Sequence, residues 1–167
     1  MLTKTLRFLN IILAALLAGT SFGIWIGFNP VNFSPSTYLE VQQNTIRMLN
    51  TLMVSLVIIA TIITIASALL QRKDKHTFVA LLVAAAFFIA CILISRFGNK
   101  PIQDNMLIWN INSLPARWSL LRDKWWSFHV MRTIAELIAL CIITWTSIKK
   151  EDITTTDKRF GSRVTGH

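Results

Sequence analysis

Four long apolar runs constrain the fold of this chain more than any other feature of its sequence. They lie at about residues 8–28, 48–70, 77–96 and 129–148. A run of roughly 20 apolar residues can cross the ~30 Å hydrocarbon core of a bilayer as a helix. A helix also satisfies its backbone hydrogen bonds internally, as the bilayer core requires. The sequence therefore predicts an all-α integral membrane protein in which residues 1–148 form a four-helix bundle.

The excess of lysine and arginine is explained by their position beside the ends of the apolar runs, and it does not indicate nucleic-acid binding. The net charge is +9, from 17 Lys and Arg against 8 Asp and Glu. Lysine and arginine next to a span set its orientation in the membrane. More of them lie beside the two termini and in the turn at residues 71–76 than at the opposite end. We therefore expect a protein of the cell (inner) membrane with both termini in the cytoplasm, and a disordered basic tail at residues 149–167.

The first apolar run allows two alternative interpretations. A cleaved signal peptide also begins with basic residues and an apolar stretch, but here the apolar stretch continues to Phe28 without a clear cleavage site. Gly19, Gly23 and Gly27 recur at every fourth position, a spacing that lets another helix approach closely. We expect this glycine face to pack inside the bundle, and a homo-oligomer interface is the alternative.

Between the third and fourth spans, residues 97–128 leave the membrane and predict a short helical extracytoplasmic cap. Pro101 is expected to end the third span, because proline cannot continue a helix without losing a hydrogen bond. A helix that begins near Pro115 and continues through the fourth span would be longer than the bilayer core is thick.

The most informative pattern begins in this cap and continues into the fourth span. Six residues recur at intervals of three or four and so share one face of a helix. They are Trp118, Arg122, Trp125, His129, Arg132 and Glu136. An ionisable group inside a span costs at least ~2.5 kcal/mol and normally faces inward with a partner. Arg132 and Glu136 are four residues apart and can form that pair.

A second polar stripe, on the second helix, is expected to face the first. It consists of Glu40, Asn44, Arg47, Thr51 and Ser55. Arg47 would then meet Glu136 across the bundle. The alternative is a helix that rises out of the membrane and turns this stripe to water.

Together the two stripes predict a pocket at the extracytoplasmic end. Its expected lining is Asn44, Arg47, His129, Arg132 and Glu136, with walls of Trp118, Trp125 and Trp126. Aromatic walls and arginines suit a flat, partly polar, lipid-soluble ligand, and a histidine can accept a proton near neutral pH. No metal is expected, because one histidine and one glutamate do not make a ligand set. The alternative is an internal ion-pair lock that binds no ligand.

The same region resembles a known family of small membrane proteins. The resemblance is carried by Asn99-x-Pro101-Ile102-Gln103, followed by Trp109, Pro115, Trp118, Arg122, Trp125, His129 and Arg132. These residues resemble the signature of the anthrone oxygenase-like family, whose members have four spans, and the similarity covers most of the chain.

The resemblance implies oxidation of a lipophilic aromatic or quinone-like compound with O2, without a metal or flavin cofactor. His129 would then be the base, with Arg132 and Arg122 stabilising the anion. Asn99 and Gln103 would be polar groups of the substrate pocket, and the tryptophans of the motif would bind substrate.

Two classes of function remain open from the sequence. The first is a small membrane oxidoreductase with a lipophilic ligand. The second is a non-enzymatic membrane module that binds a lipid or a partner membrane protein, with the polar stripes as a structural lock. A transporter subunit is disfavoured, because no inverted repeat or broken mid-membrane helix is found.

Overall fold

The computed structural model describes residues 1–164, with side chains as far as Lys149. Within these residues the chain forms helices and turns and no strand. Four of the helices are long and apolar enough to cross a membrane. The predicted all-α membrane bundle is therefore confirmed, whereas the cytoplasmic location of the termini stays a prediction.

The main helices occur in chain order with short connections. They are α1 (Leu2–Gly27), α2 (Pro35–Leu70), α3 (Lys75–Leu93), α4 (Lys100–Met106) and α5 (Trp118–Val164). A π-helical segment, Ile94–Asn99, joins α3 directly to α4. Short 3₁₀ turns lie at Pro30–Asn32 and Ile111–Ser113.

Capping side chains fix where α2 and α3 begin. Ser34 Oγ accepts a hydrogen bond from the Thr37 backbone N–H at 3.3 Å. Asp74 does the same for the Thr77 backbone N–H at 3.2 Å. Such caps satisfy backbone donors that the first turn of a helix leaves unpaired. α2 therefore begins at Pro35, well before the apolar run at about residues 48–70.

The four long helices pack in a square. α1 and α3 each contact both α2 and α5, so α2 and α5 lie on a diagonal. Each long helix places a fully buried alanine in the shared core, and these are Ala14, Ala60, Ala84 and Ala139. Small residues let helices approach closely, which matters in a bilayer because apolar burial alone does not drive helices together.

A second buried cluster, rich in aromatic residues, lies at the end of the bundle opposite the termini, which we call the outer end. Tyr38, Ile46, Ile102, Met106 and Trp125 are buried together there. Gln43 Nε2 donates to the backbone carbonyls of Met106 and Trp109, at 2.9 and 3.1 Å. α2 has 36 residues and is about 54 Å long at ~1.5 Å per residue, so its first turns extend beyond an apolar core of ~30 Å. The predicted cap is thus built on the outer ends of α2 and α5.

Pro101 does not end the third helical segment. It lies in the first turn of α4, where a helix does not need the missing proline N–H. The preceding π-helical segment Ile94–Asn99 makes the adjustment that lets the chain continue in helical form to Met106.

The glycine face of α1 is not packed inside the bundle, and the expectation that it would be is wrong. Gly19, Gly23 and Gly27 are exposed, and apart from the adjacent residues and backbone of α1 itself, no atom of the described residues lies within 4 Å of the Cβ position of any of them. α1 instead turns its adjacent face, with Ala14, Leu17, Ala18 and Ser21, to the core. The homo-oligomer interface on the glycine face stays a prediction.

The end of α5 differs from the predicted disordered tail. Its backbone is helical to Val164. Side chains beyond Lys149 and the whole of residues 165–167 lie outside the described part of the structure. The solvated, basic character expected of residues 149–167 stays a prediction.

We expect Gly98→Ala to destabilise the bundle. A Cβ at this position would lie 2.9 Å from the Phe128 ring, a distance at which one of the two helical segments must shift. Overpacking of this kind costs about 1–3 kcal/mol. Thermal unfolding in detergent micelles measures the effect. Gly19→Ala is the matched control and should be neutral or stabilising by up to about 1 kcal/mol, and equal loss in both variants would contradict the prediction.

Candidate functional site

A cavity of about 430 Å³ lies inside the bundle at the end opposite the termini. α2, the segment from the end of α3 to α4, and α5 form its sides. Leu17, Val57, Cys91 and Glu136 belong to its deeper part, within the apolar runs. Its volume falls within the range of about 300–1,000 Å³ that is typical of small-molecule sites.

The cavity opens sideways between α2 and the end of α3. Its exposed lining residues are Thr51, Val54, Ser55 and Ile58 on α2, and Arg96 on the facing segment. The lining residues that α5 contributes are buried or half-buried. The α2 side of the opening therefore combines two apolar side chains with two hydroxyl groups, and the Arg96 cation lies across from it.

The predicted face of α5 forms the back wall of the cavity. Trp125, His129, Arg132 and Glu136 all line it. Glu136 lies seven residues along α5 from His129, about 10 Å deeper at ~1.5 Å per residue. A single helix face thus carries an indole, an imidazole, a guanidinium and a carboxylate group, in order of increasing depth: Trp125, His129, Arg132 and Glu136.

His129 is fully buried, and both of its ring nitrogens have partners. Arg132 Nη2 lies 3.2 Å from Nδ1, and the backbone carbonyl of Ser21 lies 3.2 Å from Nε2. A guanidinium can only donate, so Nδ1 accepts and Nε2 carries the hydrogen that it donates to Ser21. The ring also stacks on Trp125 and Trp126, with centroid distances of 5.4 and 5.5 Å. These contacts fix the ring in its neutral form between α1 and α5.

Arg132 joins polar groups of two helical segments, α5 and the π-helical segment. Its Nη1 donates to Ser95 Oγ on the π-helical segment at 3.4 Å, while Nη2 donates to His129. Its Nε lies 3.8 Å from Glu136 Oε1, an ion pair within the apolar part of α5. The sequence predicted this pair from the four-residue spacing.

Several buried polar atoms have no hydrogen-bond partner among the described residues. They are Ser21 Oγ, Gln42 Nε2, Asn99 Oδ1, Trp125 Nε1, Arg132 Nε and Glu136 Oε2. All except Ser21 belong to residues that line the cavity. An unpaired buried polar group costs about 1–3 kcal/mol. Because the set contains both donors and acceptors, it suits a ligand that carries a carbonyl or hydroxyl group.

Asn99 shows how the π-helical segment contributes to the site. Its Nδ2 donates to the Trp125 backbone carbonyl at 3.1 Å, which leaves Oδ1 as the free acceptor. Gly98, next to it, allows the close contact with Phe128 on α5. A π-helical turn often marks a functional position in a helix, and here it presents Asn99 to the cavity.

About half of the predicted site residues surround the cavity. Those that line it are Asn99, Gln103, Trp125, His129, Arg132 and Glu136. Those that do not are Asn44, Arg47, Trp109, Trp118 and Arg122. Asn44 and Arg47 are exposed on the outer face of α2, so Arg47 does not reach Glu136 as expected. The first part of the stripe, with Glu40, Asn44 and Arg47, faces outward because α2 turns its apolar face, with Ile46 and Met53, to the core. Thr51 and Ser55, further along the same stripe, line the opening of the cavity.

The other three residues belong to the cap. The Arg122 guanidinium lies over the Trp118 ring at 5.2 Å, and its Nε donates to Asp123 at 2.8 Å. Trp118 lies beside Tyr38, with ring centroids 6.1 Å apart. Trp109 packs against the aromatic cluster of the cap. Their contribution is to hold the cap together above the cavity.

Sequence reasoning missed several polar lining residues. They are Gln42, Thr45, Asn50, Ser95, Arg96 and Lys100. Gln42 shares the buried face of α2 with Tyr38 and Ile46. A lone polar residue in an apolar stripe is the signal that would have identified it.

The described residues contain no group of three or more His, Cys, Asp or Glu side chains that could hold a metal ion. Three ionisable groups of the cavity wall, His129, Arg132 and Glu136, instead form a linked series along α5.

Fold and site together define a small four-helix membrane protein with an internal, largely apolar cavity that contains a few polar groups and opens between two of its helices. The family model described as anthrone oxygenase matches residues 43–142. This range contains most of α2, all of α3 and α4, and the part of α5 that lines the cavity. The chain belongs to the anthrone oxygenase family. No curated protein and no solved structure matches it significantly.

We expect His129→Leu to destabilise the protein by about 2–3 kcal/mol, because Arg132 Nη2 would lose its acceptor inside the bundle. Denaturant unfolding in micelles checks this. Thr133→Val is the matched control: Thr133 is also fully buried, but its hydroxyl donates only to the backbone carbonyl of His129 on the same helix. We expect a loss below about 1 kcal/mol there, and a similar loss in both variants would show that the His129 contacts are not special.

Proposed function

We propose that this protein is a membrane oxygenase that uses O2 to oxidise a lipophilic aromatic ketone with an acidic methylene group, or a related quinone precursor. The observation that carries the proposal is the cavity, in which the Trp125 ring and a largely apolar lining adjoin the buried Trp125 Nε1, Arg132 Nε and Glu136 Oε2, which have no hydrogen-bond partner among the described residues. Membership of the anthrone oxygenase family supports the same reaction class.

The proposed reaction converts a methylene into a carbonyl. Removal of one methylene proton gives an enolate, which donates electrons to O2 and forms a carbon–oxygen bond. The resulting hydroperoxide loses water, so that one methylene group and one molecule of O2 become one carbonyl group and one molecule of water. The protein must hold a flat substrate, accept a proton and stabilise an oxyanion.

Donors in the cavity suit the oxyanion. Trp125 Nε1, Gln42 Nε2 and Arg132 Nε have no acceptor among the described residues. In a site with little water, fixed donors stabilise a developing negative charge more strongly than they do in solution. Arg132 also carries the positive charge that such an anion needs.

The sideways opening suits a substrate that is dissolved in the bilayer. Val54 and Ile58 lie at the opening on α2 and are each 44% exposed. A flat apolar molecule can pass between α2 and α3 without crossing water. The cell membrane as location, with the opening towards the extracytoplasmic half, forms part of this proposal.

A second candidate is a non-enzymatic membrane module with a structural lock. One observation favours it: Ser21, His129, Arg132 and Ser95 form a continuous chain of contacts that joins α1, α5 and the π-helical segment. Under this alternative the wild-type protein would not consume O2 with any enolisable substrate, although replacing the chain of contacts would still destabilise it.

We expect the purified protein in lipid nanodiscs to consume O2 with anthrone and to form anthraquinone faster than empty nanodiscs. Ile58→Trp places a large ring at the opening and should lower the initial rate at least about tenfold, equivalent to about 1.4 kcal/mol. Ile59→Trp is the matched control, since Ile59 is 45% exposed but does not line the cavity. Absence of O2 uptake by the wild type, or equal loss in both variants, would contradict the proposal.

A further inference from the structure

Glu136 contributes a buried carboxylate oxygen that has no hydrogen-bond partner among the described residues. Glu136 is 1% exposed, and this oxygen is its Oε2. The Ser21 hydroxyl lies close to it without hydrogen-bond geometry. The other fully buried acceptor of the lining without a hydrogen-bond partner among the described residues is the amide oxygen of Asn99, which is too weak a base to take a proton from carbon.

His129 is not arranged to accept a proton. Its Nδ1 lone pair already accepts from Arg132, and its Nε2 donates to the Ser21 carbonyl. Protonation of Nδ1 would place an imidazolium against the Arg132 guanidinium, and two cations 3.2 Å apart in a buried site repel each other. The role that the family resemblance implied for His129 therefore conflicts with its contacts.

We infer that Glu136 is the catalytic base and that His129 is a positioning residue that holds Arg132 in place. This inference rests on the proposed function. Glu136 Oε1 remains 3.8 Å from Arg132 Nε, so the second oxygen is free to meet the substrate.

Proton transfer to Glu136 conserves the charge beside Arg132. Before the transfer the negative charge is on the carboxylate, and afterwards it is on the enolate of the substrate. The guanidinium adjoins the first, and its Nε, which has no hydrogen-bond partner among the described residues, can donate to the second. No new charge is created in a low-dielectric site, where isolated charges are costly.

The same carboxyl group completes the reaction without an outside proton source. The methylene C–H bond breaks and an O–H bond forms on Glu136. The enolate carbon bonds to O2, and the peroxide anion takes the proton back from Glu136 to give the hydroperoxide. Glu136 then removes the remaining proton from the same carbon while the O–O bond breaks, and the departing hydroxide receives that proton as water.

The deciding experiment separates proton removal from oxidation. Wild-type and variant proteins in nanodiscs are incubated with anthrone in deuterated water without O2, and deuterium incorporation at the methylene is followed by mass spectrometry. The spontaneous rate in empty nanodiscs is subtracted. O2 uptake is measured in parallel, and quenching of tryptophan fluorescence by anthraquinone measures binding.

Glu136→Gln should bind anthraquinone within about threefold of the wild type, yet lose at least about 100-fold in methylene exchange and in O2 uptake, because general-base catalysis contributes about 10²–10⁴-fold. His129→Gln should keep the rate of methylene exchange within about tenfold of the wild type. Its loss should appear in kcat for the oxidation, whereas the rate of proton removal from the bound substrate should change less. If Glu136→Gln does not fold, Glu136→Asp decides. This variant keeps a carboxylate but withdraws it from the substrate, and exchange should fall by about tenfold or more.

Exchange at the wild-type rate in a folded Glu136 variant would overturn the inference and leave the proposed function standing. Loss of exchange in His129→Gln with retention in Glu136→Gln would overturn it as well. If the wild type accelerates neither exchange nor O2 uptake, the proposed function fails and the inference fails with it.

Discussion

An arginine and a glutamate side by side in an apolar helix impose the main constraint on this structure. Each charge alone would cost at least ~2.5 kcal/mol within a membrane span. Arg132 and Glu136 reduce that cost by pairing at 3.8 Å, but a guanidinium and a carboxylate offer more hydrogen-bonding groups than one contact satisfies. The two Nη atoms of Arg132 donate hydrogen bonds to Ser95 and His129. Arg132 Nε and Glu136 Oε2 keep no hydrogen-bond partner among the described residues, and both residues line the cavity. The arrangement of the bundle around α5 follows from that demand.

The contrast between α5 and α2 shows how far such a constraint can be read from sequence. The polar face of α5 was predicted correctly as an inner face, because His129, Arg132 and Glu136 stand among residues apolar enough to lie within the bilayer. The same reasoning failed for Asn44 and Arg47, which are exposed. They precede the apolar run of α2 at about residues 48–70. Polar residues identify the face of a helix that points into the bundle only where the helix is surrounded by lipid, because elsewhere they can face water.

The π-helical segment could not have been predicted in the same way. Pro101 is a strong signal for a helix end, and only the backbone shows that the chain continues through it in helical form. Gly98 was the sequence clue, because only a residue without a side chain allows the contact with Phe128. The Asn99 and Pro101 of the motif thus have different tasks: one is a polar group of the cavity, and the other begins the helix that covers it.

Under the proposed function, the sideways opening between α2 and α3 also determines which concentration of substrate the protein responds to. A molecule that reaches the cavity through Val54 and Ile58 leaves the bilayer rather than water. Its occupancy of the site then depends on its amount per lipid, and a compound that partitions strongly into the membrane gains little further free energy from apolar contacts with the wall. Discrimination among such compounds falls to the few polar atoms at the back of the cavity. The bilayer therefore selects for lipophilicity, and the protein selects for the position of an oxygen.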